Sequence, residues 1–233
     1  MLFYQPINGY CYNSDSIFLY QFISSFNIKG NLLDIGCGVG VISGLLKRDF
    51  NVEVTLIDKQ LFMLKYAKKN FEIASQDVTA HLGDFIDYKF DNSFDFVISN
   101  PPFYSSSVTQ SNNENINIAR YSHHLPIEEF INGVKRILKP RGWFIFCYDA
   151  KQIDLLLYHL KRAKINPEVI EFVYSKIDRD SKLVMIACRN GSKSQTKINP
   201  PFIVFDGDNN YQEKAKRAFE MANTHSIKGE FIE

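Results

Sequence analysis

Cysteine, tryptophan and long apolar runs are scarce in this 233-residue chain. The four cysteines, Cys11, Cys37, Cys147 and Cys188, show no paired spacing, so the sequence predicts free thiols in a reducing compartment rather than a disulfide framework or a zinc knuckle. No apolar run approaches the roughly 18 residues that a membrane-spanning helix needs. The amino terminus also lacks a basic flank followed by an apolar stretch. We therefore expect a soluble, cytoplasmic protein with no membrane partner.

Motifs for metal binding and for nucleophilic catalysis are also missing. The histidines are isolated or, at His123 and His124, adjacent, and none has the spacing of a metal-ligand set. No serine or cysteine stands in the sharp strand-to-helix turn of a nucleophile elbow. We predict that the protein requires no metal and that no side chain acts as a covalent nucleophile.

The net charge is only +1, but it is unevenly distributed along the chain. Residues 1–102 hold 8 lysines and arginines against 11 acids, and residues 103–233 hold 19 against 15. The stretch 135–197 has 14 basic and 6 acidic residues with tyrosine and phenylalanine interspersed, a balance that suits phosphate contacts. We expect Lys139 in this stretch, and Arg120 ahead of it, to contact a nucleic acid.

Hydrophobic periodicity predicts a single α/β domain that covers residues 1–233. Apolar strands and amphipathic helices alternate through helix 14–27, strand 30–34, helix 41–47, strand 52–58, helix 59–74, strand 77–82 and strand 94–99. Beyond a polar stretch at 104–117, we predict helix 127–138, strand 143–148, helix 150–163 and an antiparallel pair at 168–174 and 182–188. This order is typical of a doubly wound, Rossmann-like sheet that is mostly parallel with an antiparallel carboxyl-terminal strand.

A glycine-rich turn follows the first buried strand. It contains three glycines at alternating positions, Gly36, Gly38 and Gly40. Such glycines allow a tight turn and close approach of a ligand to the backbone. A dinucleotide fingerprint needs a further glycine where Val41 stands, so that interpretation fails. An acid, Asp34, followed by Gly-x-Gly-x-Gly resembles motif I of class I S-adenosylmethionine-dependent methyltransferases. The resemblance implies that Asp34 and the turn, Cys37 included, hold the amino-acid end of S-adenosyl-L-methionine.

Two further acids follow the next two strands. Asp58 ends the second strand, roughly 20 residues past the glycines, where a carboxylate can reach ribose hydroxyls; the alternative is a helix N-cap. Asp84 and Phe85 follow the third strand. In the methyltransferase pattern, this aspartate accepts from the adenine amino group of the cofactor and the next side chain packs on the ring, whereas the alternative is a turn aspartate. Ligands of open α/β sheets bind at these strand ends, so we predict a cofactor site there.

The tetrapeptide Asn100-Pro101-Pro102-Phe103 ends the fourth strand. An amide or aromatic amine nitrogen is a poor nucleophile because its lone pair is delocalised. The Asn100 side-chain oxygen and the Pro101 carbonyl offer two acceptors for such an amine, and the prolines restrict the backbone. Phe103 offers a face on which a base can stack. The alternative is a loop turned by two prolines. We predict a catalytic motif in which Asn100 also contacts the cofactor.

The chain as a whole resembles the tRNA valine (adenine-N6)-methyltransferase family. The likeness rests on the Asn-Pro-Pro-Phe motif and on four further segments, Gln5-Pro6-Ile7-Asn8-Gly9-Tyr10, Ser14-Asp15-Ser16-Ile17-Phe18-Leu19, Ala119-Arg120-Tyr121-Ser122 and Phe205-Asp206-Gly207-Asp208-Asn209-Asn210-Tyr211. It implies N6-methylation of a tRNA adenosine next to the anticodon. It also implies that residues 1–28 fold over the cofactor, that residues 190–233 form a carboxyl-terminal extension, and that Tyr104 and Arg120 contact the tRNA.

The sequence is also compatible with three other functions. The same motif serves glutamine methylation in release factors and guanine-N2 methylation in ribosomal RNA. A non-catalytic protein that binds S-adenosylmethionine and RNA, as a sensor or an assembly factor, is a third alternative. The intact Asn100 argues against the third, because a pure binder has no use for an acceptor that holds an amine.

Overall fold

The computed structural model describes residues 1–7, 11–101 and 126–230. The amino-terminal half comprises β1 (Leu2–Gln5), α1 (Ser14–Ile23), β2 (Gly30–Ile35), α2 (Val41–Asp49), β3 (Val52–Asp58), α3 (Leu61–Ile73), β4 (Thr79–Leu82) and β5 (Phe94–Ser99). The second half comprises α4 (Ile127–Ile137), β6 (Leu138–Asp149), a short 3-10 helix (Ala150–Gln152), α5 (Ile153–Arg162), β7 (Ile165–Tyr174), β8 (Leu183–Asn190), β9 (Lys197–Ile198), β10 (Phe202–Ile203), α6 (Glu213–Ala222) and β11 (His225–Lys228). None of the described helices combines the length and the apolar character that crossing a bilayer takes.

Strands β2 to β10 form one nine-stranded sheet in the order β10-β7-β8-β6-β5-β2-β3-β4, with β9 also paired to β7. Strand β8 runs antiparallel to both β6 and β7, and the other pairs described in this sheet are parallel. The predicted fold class is therefore confirmed, and the antiparallel strand lies inside the sheet. The chain moves outward from β2 to β4 and then returns to β5, so β2 and β5 flank the switch point where such sheets bind ligands.

Helices cover both faces of the sheet, which explains why its central strands are near-continuous apolar runs. Leu32 and Leu33 are both fully buried, but successive strand residues face opposite sides, and each leucine joins a different core. The core around Leu32 takes side chains from α1, α2, α3 and α6, and the core around Leu33 takes them from α4 and α5.

Helix α1 is apolar on nearly all sides because it is buried between the sheet and helices α2 and α6. Asn13 caps its start by accepting a hydrogen bond from the backbone N–H of Asp15. The helix ends at Ile23, four residues before the predicted end. The hydroxyls of Ser24 and Ser25 donate to the carbonyls of Tyr20 and Phe22, at 2.8 and 2.7 Å, and so satisfy backbone groups of the last turn.

Strand β1 lies outside the main sheet, where it pairs in parallel with β11. Asn70 of α3, which is fully buried, connects β1 to the rest of the fold. Its Oδ1 accepts from the Tyr4 N–H at 2.7 Å, and its Nδ2 donates to the carbonyls of Tyr4 and Val39, each at 3.0 Å. Because Val39 belongs to the glycine turn, one side chain joins the amino-terminal strand to that turn.

We expect Asn70→Ala to lower the free energy of unfolding by about 2–4 kcal/mol, because it leaves one buried and two partly buried backbone groups without their partner. Urea denaturation would measure the loss. The matched control is Lys69→Ala on the same helix, whose ion pair with Glu72 is exposed to solvent. That change should cost less than about 0.5 kcal/mol. Equal losses in the two variants would contradict the role given to Asn70.

Candidate active site

A cleft opens at the carboxyl ends of β2, β3, β4 and β5. Eight of the predicted cofactor-binding residues line it: Asp34, Gly36, Cys37, Gly38, Asp58, Asp84, Phe85 and Asn100. The remaining lining residues, which the sequence analysis did not single out for this site, are Tyr12, Ser16, Ile35, Val39, Val41, Ile42, Ile57, Lys59, Gln60, Met63 and Gly83. The parallel strand ends bring the predicted acids, the glycine turn and Asn100 into one site.

The glycine turn has left-handed backbone conformation at all three glycines, with φ of 65° at Gly36, 54° at Gly38 and 75° at Gly40. L-residues with side chains rarely adopt such angles. A Cβ built on Gly36 meets no atom within 4 Å, so open space lies beside the backbone there. Gly40 does not line the cleft. A Cβ on it would lie 3.1 Å from the Phe71 ring, so we assign it to the start of α2 and to packing.

Asp58 holds the glycine turn in place. Its Oδ2 accepts from the N–H of Gly38 at 2.9 Å, and its Oδ1 accepts from the N–H of Gln60 at 2.8 Å. The second bond is to the residue just before α3. Asp58 therefore also satisfies a backbone N–H at the start of that helix, as the N-cap alternative predicted in part. Each carboxylate oxygen can accept more than one hydrogen bond, which leaves Asp58 free to meet ligand hydroxyls as well.

The cleft floor carries two buried carboxyls in Asp34 and Asp58, with 2% and 7% of their surface exposed. Burial raises the pKa of Asp34 to about 7; the nearby Asp58 raises it further, and hydrogen bonds from Ser43 oppose the shift. Burial also raises the pKa of Asp58 and, together with both acids, the pKa of Cys37. Burial disfavours the carboxylate form of both acids, and a cationic ligand would stabilise that form, so the floor favours such a ligand.

The cleft fits S-adenosyl-L-methionine, which carries an ammonium, a sulfonium and a purine amine. The two carboxyls suit the positive charges, and the space beside Gly36 admits a ligand against the backbone. The buried Oε1 of Gln60, a lining residue, has no hydrogen-bond partner in the described part of the chain and can accept from a ligand donor. Asp84 and Phe85 lie in the wall of the cleft, and the resemblance to methyltransferases implies that these two residues contact the adenine.

Asn100 lies directly after β5, and both ends of its side-chain amide are hydrogen-bonded. Its Oδ1 accepts from the Cys147 thiol at 2.9 Å, and its Nδ2 donates to the Ser16 hydroxyl at 3.1 Å. Burial raises the pKa of Cys147 well above its ordinary value, so the group stays a thiol and a donor. These contacts determine which face of the amide carries the oxygen, and that oxygen retains a second lone pair.

Neither Cys147 nor Ser16 was predicted as a site residue. Cys147 reaches Asn100 because β6 pairs with β5 in a register that aligns Ser99 with Phe146. That pairing joins segments distant in sequence, which periodicity does not specify. A signal for Ser16 did exist, since residues 1–28 were expected to fold over the cofactor. Tyr12 and Ser16 of that segment line the cleft, and the Gln5 side chain accepts from the Tyr12 N–H at 2.9 Å.

Part of the predicted site lies outside the described residues. Pro101 is described and buried. The predicted residues beyond it that are not described are Pro102, Phe103, Tyr104 and Arg120. Their roles stay predictions.

The expectation that Lys139 contacts a nucleic acid stays a prediction, but its position does not place it near Asn100. Lys139 pairs with Asp95 at 2.8 Å, and Asp95 also accepts from the Asn31 N–H near the start of β2. Asp95 is the second residue of β5 and Asn100 follows the last, so about 16 Å of strand separates them. Lys139, within the basic stretch 135–197, therefore lies at the opposite end of the strands from Asn100. The lysines of this stretch at the carboxyl edge include Lys151 and Lys182, beside the paired residues Asp149 and Leu183.

Within residues 1–7, 11–101 and 126–230, no cluster of three or more histidine, cysteine, aspartate or glutamate side chains could hold a metal ion. Independence from metals stays a prediction. Chelator treatment during a cofactor-binding measurement would test it.

Comparisons with known proteins agree with this geometry. The family model described as methyltransferase small domain matches residues 13–153, more than half of the chain. A tRNA1(Val) (adenine(37)-N6)-methyltransferase from Actinobacillus pleuropneumoniae is 24% identical over 88% of this chain and 86% of its own. Ribosomal RNA small subunit methyltransferase C from the same species is 34% identical over 37% of this chain and 28% of its own.

A solved structure extends the likeness to the fold. The crystal structure of a predicted O-methyltransferase from Agrobacterium tumefaciens aligns with a TM-score of 0.70, at 14% sequence identity. The alignment covers 91% of this chain and 98% of that one. At this identity the match supports the architecture alone.

The pKa of Asp34 predicts how cofactor binding depends on pH. Because burial raises this pKa from 3.8 to about 7, the unliganded protein loses stability as pH rises from about 4 to about 7. A cationic ligand favours the carboxylate, so binding of S-adenosylhomocysteine should release a proton below about pH 7. Affinity should rise up to about tenfold per pH unit and then level off.

Isothermal titration calorimetry in buffers with different ionisation enthalpies would count the released proton. Asp34→Asn should reduce the rise in affinity with pH and leave only the part that Asp58 contributes. Asp87→Asn, at an exposed position beyond the cleft, is the matched control and should retain the full rise. An unchanged pH profile in Asp34→Asn would refute the assignment.

Proposed function

The chain belongs to the methyltransferase small domain family, and from that premise we propose that this S-adenosylmethionine-dependent enzyme methylates N6 of an adenine in tRNA. The observation that carries the proposal is the pair of hydrogen bonds that holds the Asn100 amide at the edge of the cofactor cleft. An acceptor fixed in this way suits a substrate amine. The adenosine next to the anticodon is the proposed target.

Asn100 and Pro101 act on the substrate amine. One lone pair of the Asn100 oxygen accepts from the Cys147 thiol, and the other is available for an amine hydrogen. The Pro101 carbonyl is the second proposed acceptor. Two acceptors on the amine hydrogens hold the nitrogen with its lone pair turned away from Asn100. Orientation of this kind supplies much of the rate in a displacement.

The acids and the glycine turn are proposed to hold the cofactor. When bound, S-adenosyl-L-methionine supplies an electrophilic methyl group on a sulfonium sulfur. Asp34 would hold its ammonium, Asp58 its ribose hydroxyls, and Asp84 with Phe85 its adenine. No base is needed before attack, because the alkylated nitrogen becomes acidic and releases its proton afterwards.

Sequence coverage favours tRNA over ribosomal RNA as the substrate. The tRNA methyltransferase relative aligns with 88% of the chain, including most of the part beyond the matched family segment. The ribosomal RNA methyltransferase relative aligns with only 37% of it. Guanine-N2 methylation and protein glutamine methylation are therefore the outcomes that the experiment must distinguish from adenine-N6 methylation.

The test is mass-spectrometric nucleoside analysis after incubation of the protein with isotopically labelled cofactor. Three substrates are compared: tRNA from cells that lack the gene, ribosomal RNA, and a release-factor peptide that contains glutamine. We expect label in N6-methyladenosine from tRNA. Label in N2-methylguanosine or in the peptide would overturn the substrate assignment, and no label in any arm would overturn the enzymatic one.

In the same assay, we expect Asn100→Ala to lose about 100-fold or more of the transfer rate, because one preorganised hydrogen-bonding group is removed. Its affinity for S-adenosylhomocysteine should fall by no more than a few-fold, since Asn100 is only one of the predicted cofactor contacts and the acids and the glycine turn are intact. Calorimetry provides that second measurement. Transfer within a few-fold of the parent would count against Asn100 as the amine acceptor.

Cys147→Ala should lower kcat about fivefold, because loss of one hydrogen bond worth about 1 kcal/mol leaves the Asn100 amide free to rotate. Affinity for S-adenosylhomocysteine should not change, and Cys147→Ser should retain most of the rate through its hydroxyl donor. The matched control is Cys188→Ala, which truncates an equally buried thiol in the other core. A similar loss of kcat in that control would show that the Cys147 effect is one of packing.

A further inference from the structure

A second cleft of about 540 Å³ lies beside the cofactor cleft, also at the carboxyl edge of the sheet. Its volume falls within the range of about 300–1,000 Å³ that is typical of small-molecule sites. Its lining includes two acids, two lysines and two aromatic residues: Asp15, Asp149, Lys151, Lys182, Phe205 and Tyr211. The two clefts share no lining residue.

The first turn of α1 separates the two clefts. Ser16 lines the cofactor cleft and accepts from Asn100, whereas its neighbour Asp15 lines the second cleft. Strand β6 also contributes to both clefts. Cys147 contacts Asn100, and Asp149, which lies two residues further along the same face of the strand, lines the second cleft. A nucleotide held there would be a near neighbour of a base held at Asn100.

A tight turn builds the aromatic wall of this cleft. Phe205 and Tyr211 form an antiparallel bridge, and their rings lie 4.9 Å apart with 28° between the planes. Asp206 closes the turn, since its Oδ1 accepts from the N–H groups of Asp208 and Asn210, each at 2.9 Å. The segment from Phe205 to Tyr211 thus presents a rigid aromatic pair at the cleft. In the sequence, only its likeness to the tRNA methyltransferase family had drawn attention to it. Aromatic faces of this kind stack nucleobases.

The charges in the cleft suit a nucleotide. Both Lys151 and Lys182 are exposed, and neither ammonium group forms an ion pair within the described part of the chain. They are therefore available to a phosphate, unlike Lys139 at the opposite edge, which is paired with Asp95. Asp15 and Asp149 supply carboxylate acceptors for base amino groups or ribose hydroxyls.

The cleft also extends beyond the part of the chain that the family model matches. The cofactor cleft is built from residues 12–100, nearly all within the matched segment 13–153. In contrast, Lys182, Phe205 and Tyr211 lie after that segment. A site that uses residues outside the common segment is suited to substrate discrimination rather than to the shared chemistry.

We propose that the second cleft binds the RNA nucleotide adjacent to the target adenine, with its base against Phe205 and Tyr211 and its phosphate at Lys151 and Lys182. This inference rests on the proposed function, because it takes the substrate to be RNA. The cleft would read the flanking nucleotide while Asn100 holds the target amine.

The test measures RNA binding rather than methyl transfer. The full-length protein is titrated, with S-adenosylhomocysteine present, into a fluorescently labelled stem–loop RNA that corresponds to the anticodon arm. Binding is followed by anisotropy over a range of salt concentrations. We expect Tyr211→Ala to weaken binding about tenfold through lost stacking, and Tyr211→Phe to restore it. The double variant Lys151→Ala, Lys182→Ala should reduce the salt slope by about 0.7 to 0.9 per lysine removed.

Tyr158→Ala and Lys161→Ala, on exposed positions of α5 outside the cleft, are the matched controls and should bind as the parent does. A second RNA series carries an abasic nucleotide on one side of the target adenine or on the other. One of these RNAs should bind the parent more weakly, and Tyr211→Ala should not weaken it further. Two results would overturn the cleft assignment. One is that Tyr211→Ala and the abasic nucleotide lower the binding free energy additively for both RNAs. The other is that the cleft variants bind RNA as the controls do.

Failure of this inference and failure of the proposed function give different results. If the parent methylates tRNA but no cleft variant affects RNA binding, the second cleft is not a nucleotide site and the function stands. If the abasic RNA and Tyr211→Ala are coupled but nucleoside analysis finds no N6-methyladenosine, the cleft stands and the reaction assignment fails. Methylation of the glutamine peptide without RNA binding would overturn both.

Discussion

The site depends on the two backbone hydrogen bonds that the buried carboxylate of Asp58 accepts. Asp58 accepts them from Gly38 in the glycine turn and from Gln60 ahead of α3, so one side chain at the end of β3 positions the turn that leaves β2. The arrangement has an electrostatic cost, because it places a second acid near the buried Asp34 and raises the pKa of that residue further. A cationic ligand offsets the repulsion between the two carboxylates. The acid that shapes the turn therefore also favours binding of the cofactor.

Packing around α1 connects the cofactor cleft to Asn100, the proposed amine acceptor. Helix α1 is buried between the sheet and its neighbours, which leaves its first turn at the boundary between two clefts. From that position Ser16 accepts from Asn100, while the Cys147 thiol on β6 donates to the other end of the same amide. Packed elements on both sides therefore hold the amide, and hydrogen bonds of this kind would provide preorganisation for the proposed chemistry.

The two clefts draw their lining from different parts of the chain. Residues inside the matched family segment form the cofactor cleft, and the second cleft draws its aromatic wall and Lys182 from the chain beyond it. Basic charge follows a similar division. Lys139 forms an ion pair at the amino-terminal end of the strands, whereas Lys151 and Lys182, at the end where Asn100 lies, form no ion pair with any residue that the structure describes. Net charge along the sequence is therefore a poor guide to where a polyanion binds, because pairing and strand direction decide which charges face it.

The sequence by itself determined the strand and helix order, the glycine turn and the three acids, because these depend on local periodicity and on spacing along one βαβ unit after another. It also singled out Asn100 and the Phe205 to Tyr211 segment. Tertiary structure alone decided that Gly40 serves packing, that Cys147 and Ser16 flank Asn100, and that Phe205 and Tyr211 face a cleft with Lys151 and Lys182. Each of these depends on a pairing between segments distant in sequence, such as β5 with β6 or α1 with α6. Such pairings are set by the packing of whole elements, which a local pattern does not encode.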